Sequence, residues 1–417
     1  MFEISELSVR GFKSIAESQS IRIAPVTLLI GNNSSGKSIF MQPFLLLKQT
    51  IEAPFDPGAL LFNGENVKLT NIDQILNDSI KSQKDFTLKI SFKDQSNFSV
   101  TYEKDPKKQV NILKQSFIDA KDNNILINLN PQMDNNEIEK IIPLYLHDFA
   151  NFIKERENNI IWKISQERCF LTVEMLSDSL QVKNFGQFAQ PVKHSIEFIK
   201  NIIHVPAIFS DDNRNFSISS VSDYFPGKFE KYCASLIYKW QNEKKLSNMS
   251  QINISLQELM LANKLACKQI DDTRVEIQVS KTKADKKAKS KDLINIFDAG
   301  LGVKHILSYL IAMIVSKKGQ TVYFEQPELY LHPSTQYLLA NQFIKYSKKS
   351  SNFLIETHSP FLLKGFQDLY LQKEFSKDQI AIHYFHKDEK TNNTTINEIE
   401  IDDKGDFINN FFNIEKR

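Results

Sequence analysis

Cysteine, tryptophan and glycine are scarce in this chain: 3, 2 and 12 of 417 residues. The cysteines, Cys169, Cys233 and Cys267, have no CxxC spacing. That argues against a zinc module or a disulfide framework and suits a reducing compartment. Net charge is nearly absent, at +2. No global field attracts a polyanion, so any nucleic-acid contact needs a local patch. Long apolar runs are also missing. The longest, Ile306 to Val315, includes Ser308 and Tyr309 and is too short to cross a bilayer, so no membrane association is expected. Met1 to Glu6 lacks a basic region followed by an apolar core, so the expectation is a cytoplasmic protein without a secretory leader. No heptad run and no repeat of roughly 20–50 residues is present. The remaining composition, 41% apolar and 24% charged, is that of a soluble globular protein. Its length suits one large domain or two to three ordinary ones.

Hydrophobic patterning outlines the elements. Residues 2–10 alternate as a strand and Gly11-Phe12-Lys13-Ser14 reads as a turn. Val26 to Ile30 is a continuous apolar run, typical of a buried central strand. A helix is expected from Ser38 to about Thr50, kinked or loosened by Pro43. Period-2 strands are predicted at Phe86–Phe92, Phe98–Tyr102 and Ile125–Leu129, and helix over 136–160, 191–203 and most of 228–270. Strands Thr321–Glu325 and Asn352–Glu356 flank a helix from Pro333 to Lys348. The tail beyond 380 alternates around an Asp402-Asp403-Lys404-Gly405 turn.

The strand Val26–Ile30 runs directly into Gly31-Asn32-Asn33-Ser34-Ser35-Gly36-Lys37-Ser38, the full phosphate-loop pattern between strand and helix. Backbone N–H groups of such a loop surround phosphate oxygens, and the helix N-terminus adds its positive end. Lys37 supplies a charge for the β- and γ-phosphates and the Ser38 hydroxyl is placed for Mg²⁺. ATP and Mg²⁺ are therefore the expected ligands. A second apolar strand ends in Glu325-Gln326-Pro327-Glu328, as a phosphate-loop ATPase requires for its metal.

Glu325-Gln-Pro-Glu-Leu-Tyr-Leu-His332-Pro333, followed by Glu356-Thr-His358-Ser-Pro360, resembles the ABC-type ATPases of the OLD and RecF branch, relatives of SMC proteins. Gly11-Phe12-Lys13-Ser14 and the phosphate loop are similar too, and Asp298-Ala-Gly300-Leu-Gly302-Val303-Lys304-His305 falls where the family has its signature motif. The resemblance covers about residues 1–80 and 290–417. It implies an α/β fold: an ABC-type ATPase head, a mixed β-sheet core with flanking helices, carrying an inserted α+β lobe. The expected parts are 1–90 and 291–380 for the head, 91–290 for the lobe and 381–417 for a small β module. By the same resemblance, Asn32 to Ser38 hold the triphosphate and Lys13 touches nucleotide. Ser38 and Glu325 hold Mg²⁺, and His358 senses the γ-phosphate. Gly302 and Lys304 close on the nucleotide of a second subunit in a homodimer or higher homo-oligomer.

Two departures bear on activity. Position 326, where relatives place the water-activating carboxylate, is Gln; losing a general base typically costs about 10²–10⁴-fold. Gln326 can orient a water, and Glu328 is the alternative carboxylate. Lys304 replaces the signature serine, and both neutralisation of phosphate charge in trans and obstruction of closure stay open. The expected function is a slow ATPase switch that controls a separately encoded effector, commonly a nuclease, in anti-phage defence. The alternatives are a DNA-binding repair ATPase and a non-hydrolysing scaffold. From the length of the stretch after His358, the nuclease domain that some relatives carry is not expected. The lysine-dense Lys281–Lys291 is read as a solvated hairpin tip in preference to a nucleic-acid contact. His194, His204, His383 and His386 show no ligand spacing, and Asp402, Asp403 and Asp406 read as a turn.

Overall fold

The computed structural model describes residues 3–76, 84–105, 110–120, 125–141, 151, 160–177, 181–182, 190–207, 214–243, 246–280, 293–348 and 351–407. The lysine-dense 281–291 stretch lies outside the described residues. The chain divides into two compact units, each assembled from separated segments.

The first unit comprises Met1–Arg22, Ser38–Lys200 and His386–Ile396. Its main sheet is antiparallel, in the order β2-β1-β4-β5-β6-β7. The strands are β1 (Ile4–Arg10), β2 (Gln19–Arg22), β4 (Asp85–Phe92), β5 (Asn97–Lys104), β6 (Val110–Asp119) and β7 (Ile125–Leu129). Alternation fixes its faces: Phe86, Leu88, Ile90 and Phe92 of β4 all point inward. A smaller sheet holds β8 (Ile160–Glu167), β9 (Phe170–Ser177) and β10 (Gln181–Val182). The Gln115 amide joins the two sheets by pairing with the Leu171 backbone at 2.9 and 3.0 Å. Helix α1 (Lys37–Glu52) runs through Pro43 and gives up one helical hydrogen bond there. Its far end is anchored by the Lys48–Glu52 ion pair, by Lys48 Nζ on Lys200 O at 3.1 Å and by Arg168 on Thr50 O at 3.1 Å. Helices α2 (Asn135–Ile141) and α3 (Gln190–Lys200) complete this unit.

The second unit comprises Ile23–Lys37, Asn201–Phe385 and Asn397–Arg417. A central sheet lying mainly in this unit has the order β11-β16-β17-β3-β18-β19. The strands are β3 (Val26–Ile30), β11 (Ile202–Val205), β16 (Thr321–Glu325), β17 (Asn352–Thr357), β18 (Ile380–Lys387) and β19 (Thr394–Ile399). All pairs from β11 to β18 are parallel. That explains the continuous apolar runs, since both faces of such a sheet are covered. β11 falls where helix was expected to extend to 203; the helix stops at Lys200 and the chain enters this sheet. A second sheet combines β12 (Phe216–Ser217), β13 (Leu265–Gln269), β14 (Arg274–Ser280) and β15 (Leu293–Asn295). β13 corrects the helical expectation across its part of 228–270; Lys268 and Gln269 are exposed, and Cys267 faces the core. Around the sheets pack α4 (Cys233–Asn242), α5 (Leu246–Glu258), α6 (Leu301–Val315), α7 (Pro333–Ser347) and α8 (Pro360–Leu371). α6 is buried on nearly every side, from Val303 to Ile314.

Candidate functional site

Parallel pairing brings the strand ends into line. Ile30 lies opposite Thr357, and Glu325 opposite Glu356. The phosphate loop, the Glu325–Glu328 turn and His358 therefore all leave the carboxyl ends of neighbouring strands, where open α/β sheets bind ligands.

The loop itself is set by its backbone. Gly31 adopts φ +144°, and a Cβ there would lie 2.3 Å from the Phe385 carbonyl on β18. Only glycine fits. Ser34 takes φ +61°, and Ser35 N–H donates to Asn32 O at 3.2 Å, curling the loop. Asn32, Asn33 and Ser34 are exposed while Ser35, Gly36 and Lys37 are buried. The Lys37 ammonium donates to Gly31 O at 2.8 Å, Asn32 O at 2.7 Å and Ser35 Oγ at 3.3 Å. Burial lowers its pKa to about 8, against the opposing pull of Glu356 and Glu328. Ser38 follows as the second residue of α1.

Three carboxylates of β16, β17 and the turn between them have different partners. Glu325 Oε1 accepts from His204 Nε2 at 3.0 Å, and Oε2 from Ala207 N–H at 3.2 Å. Burial pushes its pKa up, but His204 and the Ala207 amide outweigh that and hold it below the usual range. Glu356 is buried and accepts from the Tyr323 hydroxyl at 2.8 Å. Glu328 is buried too. Its Oε1 accepts from His358 N–H at 2.7 Å, while Oε2 has no hydrogen-bond partner among the described residues. Burial raises its pKa, with the His358 amide pulling the other way.

Gln326 sits in the left-handed region, φ +47°. Its N–H donates to Glu356 O at 2.8 Å, and His305 Nε2 approaches its carbonyl at 3.4 Å. His358 is half-buried, and burial with the Lys37 charge lowers its pKa to about 4; a hydrogen bond to the Gly31 backbone opposes that shift. Its imidazole is therefore neutral at physiological pH.

The remaining expected residues are placed as follows. Lys13, at φ +50°, reaches Gln42 Oε1 on α1 at 2.6 Å, within the first unit. Gly302 packs its backbone on the turn after Glu328; a Cβ there would meet Tyr330 O at 2.8 Å. Lys304 is 7% exposed, with its ammonium 5.1 Å from the Phe297 ring centre. It lines a small cavity with Glu230, Cys233 and Ser308. Lys304 thus points into the unit in this conformation. Asp402 caps its own turn, accepting from Lys404 and Asp406 N–H, each at 2.8 Å. Of the four histidines read as structural, His204 touches a candidate site carboxylate. The sequence held one usable signal for it: a polar residue inside the apolar run Ile202-Ile203-His204-Val205. Glu356 was visible as the acid before Thr357-His358 but carried no assigned role.

The donor set suits a magnesium–triphosphate. Carboxylate and hydroxyl oxygens are the hard ligands Mg²⁺ takes, commonly one or two from protein with the rest from phosphates and water. Each Glu325 oxygen has a lone pair left after its hydrogen bond. Among the described residues no group of three or more His, Cys, Asp or Glu is placed to hold a metal ion by itself.

Residues 2–363 match the AAA ATPase domain family. Among solved structures, the chain is similar to an SMC head bound to the C-terminal winged-helix domain of ScpA. The identity is 12%, over 96% of this chain and 98% of that one, with a TM-score of 0.50. It also aligns with the SMC head domain from Thermotoga maritima at 10% identity, over 96% of this chain and 100% of that one, TM-score 0.42. A third alignment is with an SMC head carrying an extended coiled coil, bound to the C-terminal domain of ScpA derived from Pyrococcus furiosus. Here identity is 13%, coverage 96% and 97%, and TM-score 0.45. The first of these likenesses, at 12% identity, is one of fold alone and agrees with the expected ABC-type head. Curated proteins give no match.

Proposed function

The chain belongs to the AAA ATPase domain family, and we propose that it is a nucleotide switch: it pairs around ATP, hydrolyses it slowly and reopens. One observation carries this reading. Lys37 lies where the fields of Glu328 and Glu356 reach it, and the His358 N–H holds Glu328 Oε1 at 2.7 Å. A triphosphate brought against these acids alone would be repelled, so the arrangement suits a cation-bound anion. Ser38 and Glu325 are the residues we assign to Mg²⁺, which would neutralise phosphate charge. Asn32 to Ser38 would hold the phosphates, and neutral His358 has a ring able to accept or donate at the γ-phosphate. Lys13 is assigned a supporting contact to nucleotide.

Slow turnover follows from position 326. Gln326 cannot take a proton, though a glutamine can orient a water. Glu328 is the nearby carboxylate whose raised pKa suits proton acceptance. On this reading α6 opens with Gly300 to Gly302 at the closing surface, and Lys304 stays anchored beneath it. The likeness to OLD and RecF relatives supports control of a separately encoded effector, such as a nuclease in anti-phage defence.

Phosphate release separates the roles. Lys37→Ala should abolish nucleotide binding, and Gln326→Glu should speed release at least tenfold. If Gln326→Glu changes nothing while Glu328→Gln removes activity, the base is Glu328 and the assignment of position 326 is wrong. Absence of nucleotide binding by the wild type would sink the whole reading.

A further inference from the structure

His204 lies outside every motif, yet it is bonded to Glu325. We propose that His204 is a positioning residue for the metal–nucleotide site, fixing the rotation of the Glu325 carboxylate and thereby the affinity for Mg²⁺. This rests on the reading of Glu325 as the metal-holding acid.

Sheet geometry places it. His204 on β11 is the register partner of Tyr323 on β16, and Glu325 is two residues further along the same strand. Period 2 puts Tyr323 and Glu325 on one face, so His204 is the diagonal neighbour of Glu325. The imidazole stacks on the Tyr323 ring at 5.6 Å between centres and 17° between planes. That contact holds the ring while Nε2 reaches Glu325 Oε1 at 3.0 Å. Three residues on, Ala207 N–H takes the other oxygen at 3.2 Å. The segment His204–Ala207 thus grips both ends of one carboxylate. Its path is fixed from α6: the Tyr309 hydroxyl lies 3.1 Å from Pro206 O and 2.6 Å from Glu325 O.

A carboxylate free to rotate must lose that freedom when it meets a cation. One held by two donors has lost it already, which is why partners behind a metal ligand typically change affinity about 10–100-fold. A histidine needed only for packing would be replaceable by any ring stacked on Tyr323. The contact with Glu325 needs a donor.

The experiment titrates Mg²⁺ against the full chain with a non-hydrolysable ATP analogue, following binding by calorimetry. His204→Phe keeps the stacked ring and removes the donor. It should raise the Mg²⁺ needed about tenfold or more, leave analogue affinity in EDTA unchanged, and be largely rescued in His204→Gln. Equal Mg²⁺ requirements in wild type and His204→Phe would overturn the proposal. A wild type without any Mg²⁺ dependence, together with a silent Glu325→Gln, would instead overturn the metal reading beneath it. A second readout avoids the apolar variant. The His204 Nε2–H resonance, assigned by its loss in His204→Gln, should move when Mg²⁺ joins the analogue and not with the analogue alone. A resonance indifferent to Mg²⁺ would also overturn it.

Discussion

Lys37 is the residue on which binding and pH meet. With its pKa near 8, the free protein loses this proton as pH rises through that value. A bound polyphosphate favours the charged amine, so the complex keeps it. Below pH 8 both forms carry the proton and affinity is flat. Above it, binding must recover the proton, and affinity should fall by up to about tenfold per pH unit. Calorimetry in buffers of different ionisation heat should record proton uptake at pH 8.5 and little at pH 7. His305 makes a separate prediction about stability. Burial lowers its pKa to about 4, below the value of about 6.5 it has when unfolded. Between those values the unfolded chain binds the extra proton, so stability is full above pH 6.5 and declines toward pH 4. The loss should amount to at most about 3 kcal/mol. His305→Gln should lessen the slope of that part of the pH–stability curve measured by denaturant unfolding, leaving the share due to His358, whose pKa is also lowered to about 4.

At the level of elements, the site depends on where strands stop and helices start. Several residues that carried the family resemblance prove to be helix signals. His332 and Ser359 cap α7 and α8, each followed by a proline at the first helical position. Ser359 Oγ also donates to Gln336 Oε1 at 2.6 Å, so Ser359→Ala should cost about 1–2 kcal/mol in thermal unfolding. Local chemistry made such elements legible: the Val26–Ile30 run, the glycine loop and the Thr321–Glu325 strand all read correctly because their signals lie within a few residues. β11 was not legible, because four apolar-flanked residues after a helix have no period of their own and only the partner strand decides their state. The Glu325–His204 bond was hidden for the same reason, being a pairing across more than a hundred residues. Lys304 shows the opposite case. The motif marked its position and left both trans contact and obstruction open; here its ammonium lies 5.1 Å from the Phe297 ring centre. Lys304→Met should therefore leave nucleotide-dependent assembly intact, as judged by sedimentation; loss of assembly would return Lys304 to the trans contact.

At the scale of the molecule, the boundary between the two compact units falls between Lys37 and Ser38, inside the phosphate loop motif. Helix α1, which begins at Lys37, is tied in the first unit by Lys48 and Arg168. The most direct test of the switch follows mass and chemistry together. Light scattering of the full chain after addition of ATP and Mg²⁺ should show the mass double, then fall back at the rate of phosphate release, with the doubled state persisting when a non-hydrolysable analogue replaces ATP. A mass that stays constant while ATP binds, or that falls back with no phosphate released, would contradict the account.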